Sequence, residues 1–345
     1  MKYSHTIAFA MPAGRAFVVA AALALAGCRH AAPPTVARAW EVMGGIFSVA
    51  VWGRDSAALA RAADQALDSV RRVDSLLSIA SQVSEVATIN RRKEARRVSD
   101  AFTAVLGAAL DVARRSHGAY DPTRRDWRGV TFDSALGTVA LRRGVTLDFG
   151  GIAEGYALDR ALLPLRAVAD SVLLSLGGQY LIMTPTVTTS TPRAGRRVGV
   201  PDPDNTLRVI AVIEIPPGTW SVRTLSPVDQ SAPIMDPRTR QAAVRARSVT
   251  TVAREGMTAE AWSSAFFVLG CDSALAVAPQ LDRTMVGVLC VDERVRWSAD
   301  LDGRVFLTDS AMSAGTAPAP APGRAPAAVA EPSGSTTREG PDSSR

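Results

Sequence analysis

The spacing of apolar residues predicts two amphipathic helices in the first part of the chain. Asp55 or Ser56 caps the first helix, which carries apolar side chains three and four residues apart as far as about Leu77. Ser99 caps the second helix. Gly118 ends it, because glycine readily adopts the left-handed conformation that commonly follows a helix.

Shorter apolar runs predict strands and one further helix. Residues 43–52 alternate between apolar and polar positions, as a half-buried strand does, and residues 258–269 have helical spacing. The other predicted strands cover residues 172–176, 180–183, 198–200, 209–215, 248–252, 285–291 and 304–307. Strands and helices in this irregular order indicate an α+β protein with mixed sheets and packed helices, rather than a doubly wound sheet.

The run Thr146–Arg160 combines apolar residues, two glycines and a helical pattern. A strand is predicted to end at Asp148. A turn then passes through Gly150 and Gly151 to a helix that begins at Ile152. Backbone N–H groups at such a helix N-terminus have no partner within the helix and suit a phosphate or pyrophosphate. An ordinary strand-to-helix connection has the same pattern, so both interpretations stay open.

Charge and histidine content narrow the function. The net charge is +6 at pH 7, but the arginines are scattered in pairs and no nucleic-acid-binding motif accompanies them, so we expect no nucleic-acid partner. The three histidines are His5, His30 and His117, and the first two lie near the N-terminus. This excludes histidine-rich zinc sites. His117 lies in the last predicted turn of a helix, where a partly positive imidazole interacts favourably with the helix dipole.

The N-terminus predicts export. Basic residues precede an apolar stretch, residues 16–26, which is short for a membrane span and ends in Leu25-Ala26-Gly27-Cys28. Small residues before a cysteine are typical of a bacterial lipobox, in which Cys28 is lipidated and becomes the mature N-terminus. A plain signal peptide or a membrane anchor is the alternative. The expected location is therefore a bacterial membrane, with the protein lipid-anchored and facing the periplasm or extracytoplasmic space.

These patterns divide the chain into four predicted parts. A lipoprotein signal peptide covers residues 1–27 and a tether covers residues 28–39. One large domain spans residues 40–310, which is long enough for a substantial core. Residues 311–345 form an Ala/Pro-rich tail without apolar periodicity, which predicts disorder.

The remaining candidate chemistry is an oxygen-ligand metal site. Glu260 and Ser264 are four residues apart in a predicted helix, so they share a face and offer a carboxylate and a hydroxyl to a hard cation such as magnesium (Mg2+). Glu260 as a first-turn acid on a solvated helix is the alternative. An exported protein can also form disulfides, but we interpret Cys271 and Cys290 as two buried small hydrophobes.

Eight short motifs resemble, in order, those of one known family. They are Met43-Gly44, Ser84-Glu85 with Ile89-Asn90, Gly118–Thr123, Thr146–Arg160, Leu176–Gly178, Val198–Pro203, Asp236–Thr239 and Glu260–Gly270. The collinear set resembles the flavin transferase (ApbE) family, the FAD:protein FMN transferases, over residues 40–308. The resemblance implies a single T-fold-related domain. It also implies a Mg2+-dependent reaction that moves FMN from FAD to a threonine of an acceptor flavoprotein and releases AMP.

The resemblance assigns site residues as well. The implied magnesium ligands are the backbone carbonyl of Gly151 and the side chains of Glu260 and Ser264. The implied flavin contacts are Met43, Ala119, Tyr120, Asp121, Asp148, Glu154 and Ile234. Each flavin contact also has a structural explanation, as a turn, cap or core residue.

One departure from the family pattern concerns the catalytic base. Where the family carries a histidine three positions before Asp236, this chain has Pro233. Proline has neither a titratable group nor an N–H, so it cannot accept a hydroxyl proton. Asp236 is then the candidate for a substitute base. Two alternatives stay open: an FAD pyrophosphatase that uses water as the nucleophile, and a non-catalytic flavin-binding lipoprotein.

Overall fold

The computed structural model describes residues 35–185, 196–229, 233–281 and 285–308. The described part contains the helices α1 Ser56–Leu77, α2 Glu85–Arg92, α3 Asp100–Arg115, α4 Ala153–Arg166, α5 Gly256–Leu269 and α6 Cys271–Val277. Its strands are β1 Val36–Val42, β2 Gly45–Trp52, β3 Arg96–Arg97, β4 Val130–Asp133, β5 Thr138–Leu141, β6 Ser171–Leu176, β7 Gln179–Thr184, β8 Arg196–Asp202, β9 Asn205–Ile215, β10 Gly218–Leu225, β11 Met235–Asp236, β12 Gln241–Ala242, β13 Ser248–Ala253, β14 Met285–Val291, β15 Val295–Trp297 and β16 Val305–Leu307.

One large sheet organises the fold. It has eight strands in the order β1-β2-β6-β7-β10-β13-β14-β15, and the described neighbours in it pair antiparallel. Two three-stranded sheets, β16-β9-β8 and β3-β5-β4, and the small hairpin β11–β12 surround it. The α+β class predicted from the sequence is confirmed by this architecture.

The large sheet is buried on both faces, which divides the core in two. On one face the helices pack on side chains such as Phe47, Val49 and Leu174. On the other face, Val222 and Val252 of the large sheet pack with residues of β9. Because strand side chains alternate between faces, Arg223, next to Val222 in β10, points toward the helices.

The caps that begin the long helices match those predicted from the sequence. Asp55 accepts hydrogen bonds from the backbone N–H groups of Ala57 at 3.0 Å and Ala58 at 2.9 Å. Ser99 accepts one from Phe102 at 3.2 Å. The predicted helices that begin at these caps, and the one at residues 258–269, are confirmed within a few residues.

A close crossing of α4 and α5 positions the site. A side chain on Gly155 would overlap the backbone of Gly256, so the helices touch where neither has a Cβ. Asp159 of α4 caps α5, since its carboxylate accepts hydrogen bonds from the N–H groups of Gly256 at 2.7 Å and Met257 at 2.9 Å. The first turn of α5 is therefore fixed against α4.

Residues 146–148, predicted as the end of a strand, do not form a strand. Their backbone bonds to side chains and turns instead of to a neighbouring strand. Asn90 donates to the carbonyl of Leu147 at 2.8 Å and accepts from its N–H at 2.7 Å, and Asp148 N–H donates to Pro122 at 2.6 Å. No strand pairs with this segment in the described part of the chain.

Three further sequence interpretations change. Strand β1 begins at Val36, so part of the predicted tether, residues 28–39, belongs to the large sheet. Met43 lies in the turn between β1 and β2, with φ 55°, and not in a strand. Cys271 and Cys290 are buried as predicted, but they form a disulfide between α6 and β14.

The described residues include no helix that is both long and apolar enough to span a membrane. The predicted signal peptide, Cys28 and the predicted tail at 311–345 lie outside the described residues.

Candidate metal and nucleotide site

Helix α5 brings the predicted metal-ligand residues together with the glycine turn. Gly151 has φ +86°, and a Cβ built on it would lie 2.9 Å from Ser264 Oγ and 3.5 Å from a ring carbon of Tyr120. Glu260 lies one turn before Ser264 and is 2 % exposed. Its Oε2 accepts a hydrogen bond from Gly155 N–H at 2.7 Å, which links it to the first turn of α4.

Burial gives this cluster unusual electrostatics. Burial, together with the neighbouring Glu154 carboxylate, raises the pKa of Glu260 above its usual range. Burial and the charge of Glu260 likewise raise the pKa of Tyr120, whose hydroxyl has no hydrogen-bond partner in the described structure. The charge of Arg223 opposes this rise for Glu260, but the Tyr120 hydroxyl has no described partner. Buried polar groups are nearly always paired, so the unpaired hydroxyl beside the buried acid indicates a site that a ligand completes.

A second group of residues lies beside this cluster at the turns of the large sheet. A side chain on Gly177, φ +55°, would overlap the Glu154 carboxylate, so the β6–β7 turn sits directly on α4. Arg223 donates to the Gly177 carbonyl and lies 3.8 Å from Glu154 Oε2. A Cβ on Gly45 would lie 3.9 Å from Gly177 N, so the turn that carries Met43 is adjacent.

Asp148 stands at the entrance to the glycine turn. Its carboxylate accepts a hydrogen bond from Gly150 N–H at 2.8 Å and forms an ion pair with Arg124 Nε at 3.0 Å. A Cβ on Gly150 would lie 3.1 Å from an Arg124 nitrogen, so this arginine covers the turn. No sequence motif indicated Arg124, which has φ 57°.

The Ala119-Tyr120-Asp121 segment follows α3 and is buried. Asp121 accepts hydrogen bonds from Thr123 N–H and Thr123 Oγ, both at 2.7 Å, and from Trp127 N–H at 3.1 Å. These contacts fit the turn role that the sequence left open for Asp121. Flavin contact by Ala119 and Asp121 stays a prediction.

The β11–β12 hairpin carries the remaining predicted residues. Ile234 is half-buried against the main core, whereas Pro233 is exposed. Arg238 binds both oxygens of Asp236, at 2.9 Å and 2.7 Å, and these bonds hold the pKa of Asp236 below its usual range. A carboxylate with a lowered pKa is a weak proton acceptor, so the geometry weighs against Asp236 as a general base.

The described residues contain no group of three or more His, Cys, Asp or Glu side chains arranged for a metal ion. The predicted site uses one carboxylate, one hydroxyl and one backbone carbonyl, which are hard oxygen donors of the kind Mg2+ prefers. The buried Glu260, one helical turn before Ser264 and close to the Gly151 turn, fits such an ion when a nucleotide supplies further oxygens.

The sequence model of the ApbE family matches residues 43–127 and 123–288, which include the glycine turn, Glu260 and Ser264. The chain belongs to the ApbE family. This membership confirms the resemblance found in the motifs. A curated relative from Treponema pallidum (strain Nichols), described as an FAD:protein FMN transferase, is 27 % identical over 329 residues, covering 79 % of this chain and 89 % of the relative.

Solved structures of ApbE proteins share the fold. The ApbE protein of Thermotoga maritima superposes with a TM-score of 0.63 at 24 % identity, over 80 % of this chain and 97 % of its own. The flavin transferase ApbE of Vibrio cholerae gives 0.64 at 19 % identity, over 78 % and 98 %. ApbE members therefore keep this architecture at low sequence identity.

Proposed function

We propose that this ApbE-family protein is a Mg2+-dependent FAD:protein FMN transferase. The observation that carries the proposal is the convergence of Gly151, Ser264 and the buried Glu260 beside the first turn of α4. The name of the Treponema pallidum relative supports the same activity. FAD is the proposed substrate, and flavoproteins of the membrane or periplasm are the proposed acceptors.

In this proposal the residues of the chain bind and orient the pyrophosphate of FAD. Glu260, Ser264 and the Gly151 carbonyl would hold Mg2+, which neutralises charge on phosphate oxygens when it is bound. Tyr120 presents an apolar ring face, and Glu154 and Asp148 accept hydrogen bonds from flavin or ribose donors. The threonine oxygen of the acceptor attacks the FMN phosphorus, the phosphoanhydride bond to AMP breaks, and AMP leaves.

The threonine proton needs an acceptor that this chain does not clearly supply. Pro233 cannot take it, and the ion pair with Arg238 makes Asp236 a weak acceptor. Cleavage of FAD by water is the second candidate. It uses the same metal site and also needs a group to accept the proton of the nucleophile, but it needs no acceptor protein. A flavin-binding lipoprotein without catalytic activity is the third candidate, and the buried Glu260–Ser264 pair weighs against it.

One incubation distinguishes these candidates. The protein is mixed with FAD, Mg2+ and an acceptor flavoprotein, and the products are separated by chromatography and mass spectrometry. Covalent FMN on an acceptor threonine together with AMP is the expected result. Free FMN and AMP would establish hydrolysis instead, and intact FAD bound to the protein would establish binding alone.

We also propose lipid anchoring at Cys28, which lies outside the described residues. The support is the Leu25-Ala26-Gly27-Cys28 pattern after an apolar stretch. The Cys28→Ser variant should remain an unprocessed, unacylated precursor, as mass analysis of the N-terminus would show. A wild-type protein with an unmodified mature N-terminus would refute the anchor.

A further inference from the structure

Arg223 is a buried arginine that no motif singles out. It lies on β10 and is 8 % exposed. Its guanidinium donates to the Gly177 carbonyl and lies 3.8 Å from Glu154 Oε2. One side chain therefore joins a turn of the sheet to the first turn of α4.

Its strand neighbours are also polar, buried and incompletely paired. Arg223 is opposite Gln179 in β7 and opposite Thr251 in β13, and both neighbours are fully buried. Arg223 Nε, Gln179 Oε1 and Thr251 Oγ1 have no hydrogen-bond partner in the described structure. Unpaired buried groups are rare, so three in adjacent strands indicate a polar site that water or ligand atoms complete.

The charges around Arg223 explain why a cation lies there. The neighbouring Glu154 carboxylate raises the pKa of the buried Glu260, and the charge of Arg223 acts in the opposite direction. The ion pair with Arg223 restricts where the Glu154 carboxylate can lie. Removing the arginine would leave that carboxylate without a compensating charge. Because Glu154 rests directly on Gly177, the same contact fixes the β6–β7 turn.

We propose that Arg223 is a positioning residue for the flavin nucleotide: it holds the Glu154 carboxylate and the Gly177–Gly178 turn in the arrangement that receives FAD. The inference rests on the proposed function, since Glu154 is a flavin contact only within that proposal. Arg223 acts through Glu154 and the turn, and it does not take part in bond breaking.

The test measures FAD affinity by quenching of flavin fluorescence, with EDTA and with Mg2+. Arg223→Met removes the charge at similar length and should weaken FAD binding about tenfold to a hundredfold, as expected for loss of charged hydrogen bonds. Arg223→Lys keeps the positive charge but lacks the planar guanidinium, so its FAD affinity should lie between those of the wild type and Arg223→Met. Arg254→Met is the matched control, because the exposed Arg254 stacks on Trp220 at 3.3 Å and should leave affinity unchanged.

A double-mutant cycle with Glu154→Gln separates positioning from general destabilisation. If Arg223 acts through Glu154, Arg223→Met should weaken binding less than about twofold further in the Glu154→Gln background. In turnover, KM for FAD should rise while kcat changes less than about threefold. Wild-type affinity in Arg223→Met or Arg223→Lys, or fully additive effects in the cycle, would overturn the inference. A wild-type protein that does not bind FAD would refute the proposed function itself.

Discussion

Two regions of the site are built differently. At the crossing of α4 and α5, Glu260 is buried and bonded to Gly155, and Ser264 faces Gly151 across a contact too tight for a side chain. At the β11–β12 hairpin, Pro233 just before β11 is exposed and Met235 is 48 % exposed. Asp236 forms an ion pair with Arg238. The first region holds the proposed magnesium ligands, and the second holds Pro233 where the resemblance implies a histidine.

If the proposed function holds, this contrast places the proposed metal site and the position of the missing base in separate parts of the molecule. The α4–α5 region is fixed by backbone contacts and buried charges, so a single change there disturbs many interactions. The hairpin carries an exposed proline and a surface ion pair, which a protein tolerates losing. Substitutions should therefore have large effects in the first region and small or favourable effects in the second.

The largest effect is expected for Glu260→Ala. Loss of the carboxylate from a site with few protein ligands should lower Mg2+-dependent turnover of FAD about a thousandfold or more, while circular dichroism shows a folded protein. Glu255→Ala, an exposed acid at the start of the same helix, is the control and should keep full activity. Unchanged Mg2+ dependence in Glu260→Ala would remove the metal assignment.

The buried region should also make stability depend on pH. Burial raises the pKa of Asp159 from 3.8 to about 7, against hydrogen bonds from Met257 and Gly256 that lower it. The folded state then keeps a proton that the unfolded chain loses, so the free energy of unfolding in EDTA should fall as pH rises from about 4 to 7. The loss should reach a few kcal/mol, at about 1.4 kcal/mol per pKa unit.

Asp159→Asn tests the origin of that pH dependence. The raised pKa of Glu260 also makes stability fall as pH rises, so the variant should keep some pH dependence. The pH slope of the variant is therefore compared with that of the wild type. Urea unfolding at several pH values should show a smaller pH slope in the variant. An identical slope in both proteins would show that Asp159 is not the group that titrates.

An intermediate effect is expected on the hairpin from Pro233→His. General-base assistance contributes about a hundredfold to ten-thousandfold, so an imperfectly placed imidazole should still raise FMN transfer at least about tenfold at saturating FAD and Mg2+. Pro233→Ala is the control for loss of the fixed proline φ. The wild type could already transfer FMN rapidly, with the histidine variant no faster. That result would show that another group removes the proton.

The smallest effect is expected from Asp236→Asn. The Arg238 ion pair holds the pKa of Asp236 low, so the carboxylate is a poor base and transfer should change less than about threefold. Initial rates across pH 6 to 9 would check this. A loss of about a hundredfold or more would restore Asp236 as the substitute base.

Local patterns predicted the helices well, and they placed Glu260 and Ser264 one turn apart on the same helix, because caps and i, i+4 spacing depend only on nearby residues. Long-range contacts were not predictable. The pairing of Asn90 with Leu147, the Cys271–Cys290 disulfide and the Glu154–Gly177 contact join residues distant in sequence. The role of Arg223 was not predictable either, because the sequence of β10 does not show which face of the strand packs toward α4.

The most direct test of this account is Mg2+ binding by isothermal titration calorimetry in the presence of FAD. The account predicts one site in the wild type, its loss in Glu260→Ala, and its retention in Pro233→His and Asp236→Asn. Equal Mg2+ binding by Glu260→Ala and the wild type, or loss of binding in the hairpin variants, would contradict the division of the site into two independent regions.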